Sequence, residues 1–143
     1  MVSCLIVDCG VVANLQGFWF VQAFISTFLA ILFLQSGLDK VFDFAGNLEW
    51  LKGHFKNSFL NGTVPMMLAT ITLVELVAGV TSAVGVVQVV WVKSFCWAFI
   101  GTAFSAAALV MLFFGQRVAK DYAGAGGLVP YFILTIINLY FLA

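Results

Sequence analysis

A carboxyl group stands inside a long apolar run: Glu75, within residues 63–91. An acidic side chain at the centre of a membrane-spanning helix costs about 2.5–3.5 kcal/mol to insert. Such residues face a bundle interior or a water-filled cavity. Helical spacing sets Thr72, Glu75, Gly79 and Ser82 on one stripe. That placement suits a proton site, a ligand anchor or the counter-charge of a buried Lys or Arg. A structural interhelical hydrogen bond is the equal alternative.

Two charged clusters flank the apolar runs. Upstream, Gln22, Ser26, Ala30, Phe33, Gly37 and Lys40 follow helical spacing, with Asp43 on the next turn. Lys40 and Asp43 are spaced to pair, and Asp39 and Asp43 share a face. Downstream, Gly101, Ser105 and Ala108 form a small-residue stripe of the kind that lets helices approach closely. Arg117, Lys120 and Asp121 follow it. If the spans alternate in direction, both clusters emerge at one membrane face. The expectation is a joint network of Asp39, Lys40, Asp43, Arg117, Lys120 and Asp121. It is either a salt-bridge collar that fastens the bundle or a mouth for an anionic or quinone-like head group beside Glu75. Glu75, Lys40 and Arg117 are the candidate ligand or proton site; no residue is assigned a catalytic role.

Metal and cofactor chemistry finds little support. His54 is the only histidine, and it reads as a solvated loop or headgroup residue between Lys52 and Lys56. Zinc needs three or four ligands, and Cys4, Cys9 and Cys96 are scattered without a CxxC. No metal and no covalently bound cofactor is expected. Cys4 and Cys9 could pair in an oxidising compartment; otherwise all three cysteines are small apolar residues that do not react.

The elements that position these residues follow from composition. Of the 143 residues, 64% are hydrophobic and 8% charged, against about 45–50% and 25% in soluble domains. Mean hydropathy is +1.14. So few charges cannot cover a soluble surface, and no basic patch exists for nucleic acid. A helix needs about 20 apolar residues to cross the hydrocarbon core. Four helices are expected, at about 17–45, 63–91, 94–119 and 124–143, in a single membrane domain. Residues 47–62, with Trp50, Phe55 and Phe59 among charges, read as an interfacial amphipathic segment. Gly46-Asn47 suits the end of the first helix, and Gly124, Gly126 and Gly127 suit a flexible break before the fourth. The runs are too uniformly apolar for barrel strands. The fold class is all-α integral membrane, a four-transmembrane-helix up-down bundle. A faint echo at a shift of 80 matches Lys40, Gly46 and Leu48 with Lys120, Gly126 and Leu128.

Orientation follows from the cations. Lys40, Lys52, Lys56, Arg117 and Lys120 fall on one side and Lys93 on the other. The positive-inside rule puts the charged clusters in the cytoplasm and both termini outside. Met1 to Gly10 lacks the basic n-region of a signal peptide, so insertion is expected to rely on the first span.

Three segments resemble the DoxX family of small four-helix bacterial membrane proteins. Phe33-Leu34-Gln35-Ser36-Gly37-Leu38-Asp39-Lys40 looks like its first-helix signature. Val74-Glu75-Leu76-Val77-Ala78-Gly79 is similar to its Glu-x-x-x-Gly pattern. Gly115-Gln116-Arg117-Val118-Ala119-Lys120-Asp121-Tyr122 also resembles members, and together the likeness spans about Phe18 to Ala143. The resemblance implies a multi-pass protein of the bacterial inner membrane. It implies an accessory subunit of a quinone- or thiol-linked redox complex, with membrane lipid and other membrane subunits as partners and a quinone or lipid as ligand. A purely structural subunit and a small ion or solute transporter are the alternatives.

Overall fold

The computed structural model describes residues 19–142. Among them, α1 runs Trp19–Phe42, α2 Phe44–His54, α3 Val64–Trp91, α4 Cys96–Val118 and α5 Tyr122–Leu142, with a 3-10 turn at Asn61–Thr63 before α3. No strand occurs among the described residues. Helices α1, α3, α4 and α5 are long and apolar enough to cross a membrane. At 1.5 Å per residue even the 21-residue α5 spans about 32 Å, against about 30 Å of hydrocarbon. The fold is thus an all-α four-helix membrane bundle. Large apolar side chains such as Phe24, Ile31, Leu73 and Ile133 point outward, as a lipid solvent allows.

Two boundaries differ from the expectation, for one reason. The first long helix ends at Phe42, and Gly46-Asn47 lies inside α2 instead of terminating α1. Asp43 leaves helical geometry (φ −126°, ψ 56°), and its carboxylate accepts a hydrogen bond from Gly46 N at 3.1 Å, capping α2. The same device opens α5: Asp121 Oδ1 accepts from Gly124 N at 2.9 Å. Gly124, Gly126 and Gly127 are therefore helical, and no flexible break separates α4 from α5. Asp43-Phe44-Ala45-Gly46 and Asp121-Tyr122-Ala123-Gly124 are the true internal match, in a register two residues off the echo that Lys40 and Lys120 suggested. Glycine is needed at the fourth position of each because an added Cβ would fall on the capping carboxylate. The expected interfacial segment is a short helix without a buried residue, followed by turns.

Helix α3 packs along both α1 and α4, α4 also packs along α5, and α5 closes weakly onto α1. Three glycines let backbones approach. A Cβ on Gly79 would sit 2.8 Å from Leu34 N, one on Gly85 2.6 Å from Ala98 Cα, and one on Gly101 2.5 Å from Ser82 N. The tight reversals after α3 and α4 each use a lysine in the left-handed region, Lys93 (φ 56°) and Lys120 (φ 63°). Lys93 Nζ lies over the Trp19 ring, 3.2 Å from its centroid. The start of α1 and the α3–α4 turn therefore share a face, opposite the charged clusters.

Two apolar clusters form the interior. One gathers Leu29, Phe33, Leu68, Ile71, Ala78, Ala108 and Leu109 toward the charged face. The other gathers Ala23, Val89, Ala98 and Leu142 toward the Cys96 face.

Candidate functional site

Glu75 is fully buried at mid-helix on α3. Around Glu75, α3 faces α1, because Gly79 and the Leu76 backbone are pressed against Leu34 and Gly37. Glu75 Oε2 lies 2.8 Å from Lys40 Nζ, and Oε1 accepts a hydrogen bond from Ser36 Oγ at 3.2 Å. Lys40 Nζ also donates to Ser36 Oγ at 2.7 Å and to Ser36 O at 3.1 Å. Ser36 thus bridges acid and base, accepting from one and donating to the other. The Lys40–Glu75 contact is a close ion pair whose angles fall short of a hydrogen bond.

The geometry satisfies both charges from neighbouring groups. Lys40 follows Ser36 by one helical turn, so its stem runs along α1 and its head returns to the Ser36 carbonyl. Its side chain keeps 17% exposure, while that of Glu75 has none. The acid is sealed in the bundle and the base stands at the boundary.

That boundary opens on a lateral groove of about 670 Å³. α2 lies along one side, the first turns of α3 along another, and the last turns of α4 along the third. Apolar side chains dominate, including Met66, Met67 and Met111, which adapt to irregular ligands. Lys40, Asn47, His54 and Gln116 are among the polar residues of its lining. A half-open apolar groove with a few convergent polar groups is the usual form of a small-molecule site.

The six-residue charged network does not form. Among the described residues the ion pairs are Lys40–Glu75 and His54–Asp121, the latter at 3.8 Å. Asp43 and Asp121 are committed to helix caps. Lys40 turns inward to Glu75 and does not pair with Asp43. Arg117 lies over the Tyr122 ring, 4.7 Å from its centroid, away from Lys40's partners. Neither Asp39 nor Lys120 joins a charge pair. The two charged segments meet through a residue that the sequence placed in solvent: His54 is half-buried, stacks on Trp50 at 4.7 Å and reaches across to Asp121.

Cys96 is not an inert thiol; it is disulfide-bonded. Cys4 and Cys9, and with them the Cys4–Cys9 pairing, lie outside the described residues. No group of three metal-ligating side chains occurs among the described residues.

Set against protein-family models, curated proteins and solved structures, the chain matches none. The fold and the site therefore rest on the chain's own geometry.

Sequence reasoning missed the groove and four polar residues of the interior, Thr81, Thr102, Thr135 and Asn138. Asn138 is fully buried on α5 and donates to Thr102 Oγ1 on α4 at 2.8 Å. Its signal was present: Thr135 and Asn138, one turn apart, interrupt an otherwise apolar span. The groove had no such signal, because it is made by α2 folding over α3 and α4.

Proposed function

We propose that this chain is a DoxX-like accessory subunit of a membrane redox complex, holding a quinone- or lipid-like ligand in the lateral groove with the head group beside Lys40. The observation that carries this reading is the meeting of an apolar groove with a lysine whose counter-ion is buried behind it. A ligand tail is accommodated by the methionine-rich walls, and a polar head reaches Lys40, His54 and Gln116 without entering the core. The first two DoxX-like segments support the same reading because they are the two sides of one contact. Gly37 packs against Leu76, and Ser36 and Lys40 hold Glu75.

The groove face is cytoplasmic in this proposal, and the chain sits in the bacterial inner membrane with both termini outside. Five of the cations lie at the groove face. Cys96, bonded as a disulfide, lies at the opposite face, which fits an oxidising compartment there.

A second reading is favoured by one observation. The Lys40 ammonium already has two hydrogen-bond acceptors, Ser36 O and Ser36 Oγ, and an ion-pair partner in Glu75. A pair so fully satisfied can serve as a fastener between α1 and α3 in a purely structural subunit.

Purification from native membrane in a lipid-preserving polymer, with mass spectrometry of co-purifying proteins and extracted ligands, separates the two. A bound quinone or lipid that survives washing, and is lost when Met66→Trp and Met111→Trp fill the groove, is the expected result. Identical ligand content in wild type and the filled variant overturns ligand binding and leaves the structural subunit.

A further inference from the structure

Charge decides which head groups the lateral groove can take. Among its lining residues only Lys40 and His54 can carry a charge, and both are bases. Each has a carboxylate set against it from outside the lining. Glu75 Oε2 lies 2.8 Å from Lys40 Nζ, and Asp121 Oδ2 lies 3.8 Å from His54 Nε2. The other cations of this face, Lys52, Lys56, Arg117 and Lys120, do not line the groove.

The balance holds for either state of the histidine. Lys40 and Glu75 sum to zero as an ion pair, and also if the proton passes from one to the other. A protonated His54 and Asp121 sum to zero as well, and a neutral His54 leaves the Asp121 charge uncompensated. The groove is therefore neutral or negative.

Nor can an anion recruit Lys40 locally. An ammonium has three N–H donors. Two contacts go to Ser36 O at 3.1 Å and Ser36 Oγ at 2.7 Å, and the third direction is held by Glu75. A phosphate at this boundary would have to draw Lys40 away and leave a carboxylate unpaired inside the bundle. Basic pockets between spans are the seats of anionic lipid head groups, and this groove lacks the uncompensated cations that such a seat needs. Among its other lining residues, Asn47, Thr63, Thr70 and Gln116 carry amides and hydroxyls, which suit an uncharged head that hydrogen-bonds.

We propose that the groove selects uncharged membrane amphiphiles over anionic ones, and that Glu75 and Asp121 set this choice as counter-charges placed outside it. The proposal rests on the reading of the groove as a ligand site, and it names the class of ligand.

The test uses the full chain in phosphatidylcholine nanodiscs with two photoactivatable probes of one acyl chain, monooleoylglycerol and its phosphate ester, lysophosphatidate. Mass spectrometry maps crosslinks to Met66, Met67 and Met111, which line the groove. The neutral probe is expected to label these residues at least about tenfold more than the phosphate ester, because mismatched charge suppresses the wrong partner. Equal labelling, or more by the phosphate ester, overturns the proposal and leaves the groove a ligand site. Labelling by neither probe, or labelling unchanged when Met66→Trp and Met111→Trp fill the groove, overturns the ligand site and the proposal with it. These comparisons need no charge variant. Glu75→Gln keeps the shape of the side chain but leaves Lys40 uncompensated, so it should narrow the ratio between the probes. A folded Glu75→Gln protein with the wild-type ratio overturns the role given to the counter-charge. Unlabelled decylbenzoquinone and unlabelled monooleoylglycerol then compete with the neutral probe. Displacement by the first marks a quinone as the source and by the second a neutral lipid, and either supports the proposal; displacement by neither overturns it.

Discussion

Breaking the Lys40–Glu75 pair from its two ends should give unequal losses. Lys40→Met leaves Glu75 fully buried, with Ser36 Oγ as its sole neutral donor. Removing one partner of a buried pair costs about 3–5 kcal/mol. The pair is buried at one end only, since Lys40 keeps 17% exposure, so about 3 kcal/mol, the low end, applies; that is roughly a 100-fold shift in the unfolding equilibrium. Glu75→Leu leaves a lysine that retains both Ser36 acceptors and can extend toward the groove face, and should cost about 1 kcal/mol. The double variant removes both charges and should return to within about 1 kcal/mol of wild type, because a buried pair and an apolar replacement of similar size are close in stability. Reversible unfolding in bicelles, followed by steric trapping, measures all four proteins. A Lys40→Met loss no larger than that of Glu75→Leu, or a double variant no better than Lys40→Met, would refute the assignment of burial to the acid end.

Gly46→Ala and Gly124→Ala should each destabilise by about 1 kcal/mol, since the new Cβ displaces the carboxylate that caps the helix; Gly126→Ala, with open space around it, should be neutral or stabilising by up to about 1 kcal/mol, and thermal unfolding of the three variants checks the contrast. Gly101→Val should part α3 from α4, costing about 1–3 kcal/mol, read as a lower midpoint together with weaker disulfide crosslinking between cysteines placed across that seam. Single cysteines introduced near residues 50 and 90 should differ in reaction with an impermeant thiol reagent added to intact cells, with labelling near 90 and protection near 50; the reverse pattern inverts the orientation.

Burial made the membrane bundle legible before any coordinates. Four apolar runs in so short a chain leave helices as the only spanning solution, and Glu75 could be placed inward because lipid offers it nothing. What the sequence concealed was competition for partners. Spacing along one helix offered Asp43 to Lys40, but a capping backbone N–H sits closer to Asp43 than the lysine does, and Glu75 on the adjacent helix holds the lysine instead. Asp121 was lost to the expected network in the same way. Glycines misled for a related reason. At Gly46 and Gly124 they mark the first turn of a helix, where a capping carboxylate needs the room a side chain would fill, and not a helix end or a hinge. The groove was invisible because its walls come from three segments with no local pattern in common.

The order of the pair along the chain bears on how the protein enters a bilayer. Lys40 belongs to the first described span and Glu75 to the next, with the short capped helix α2 and a turn between them. A nascent chain therefore presents the base before the acid. Lys40 lies near the end of its helix and can wait at the headgroup boundary, where an ammonium is tolerated. Glu75 arrives second, so its insertion cost can be met by a partner already at hand. The α1–α3 hairpin is thus the smallest unit of the chain that can leave the insertion machinery with its intramembrane charge neutralised, and α4 and α5 join a scaffold already in balance.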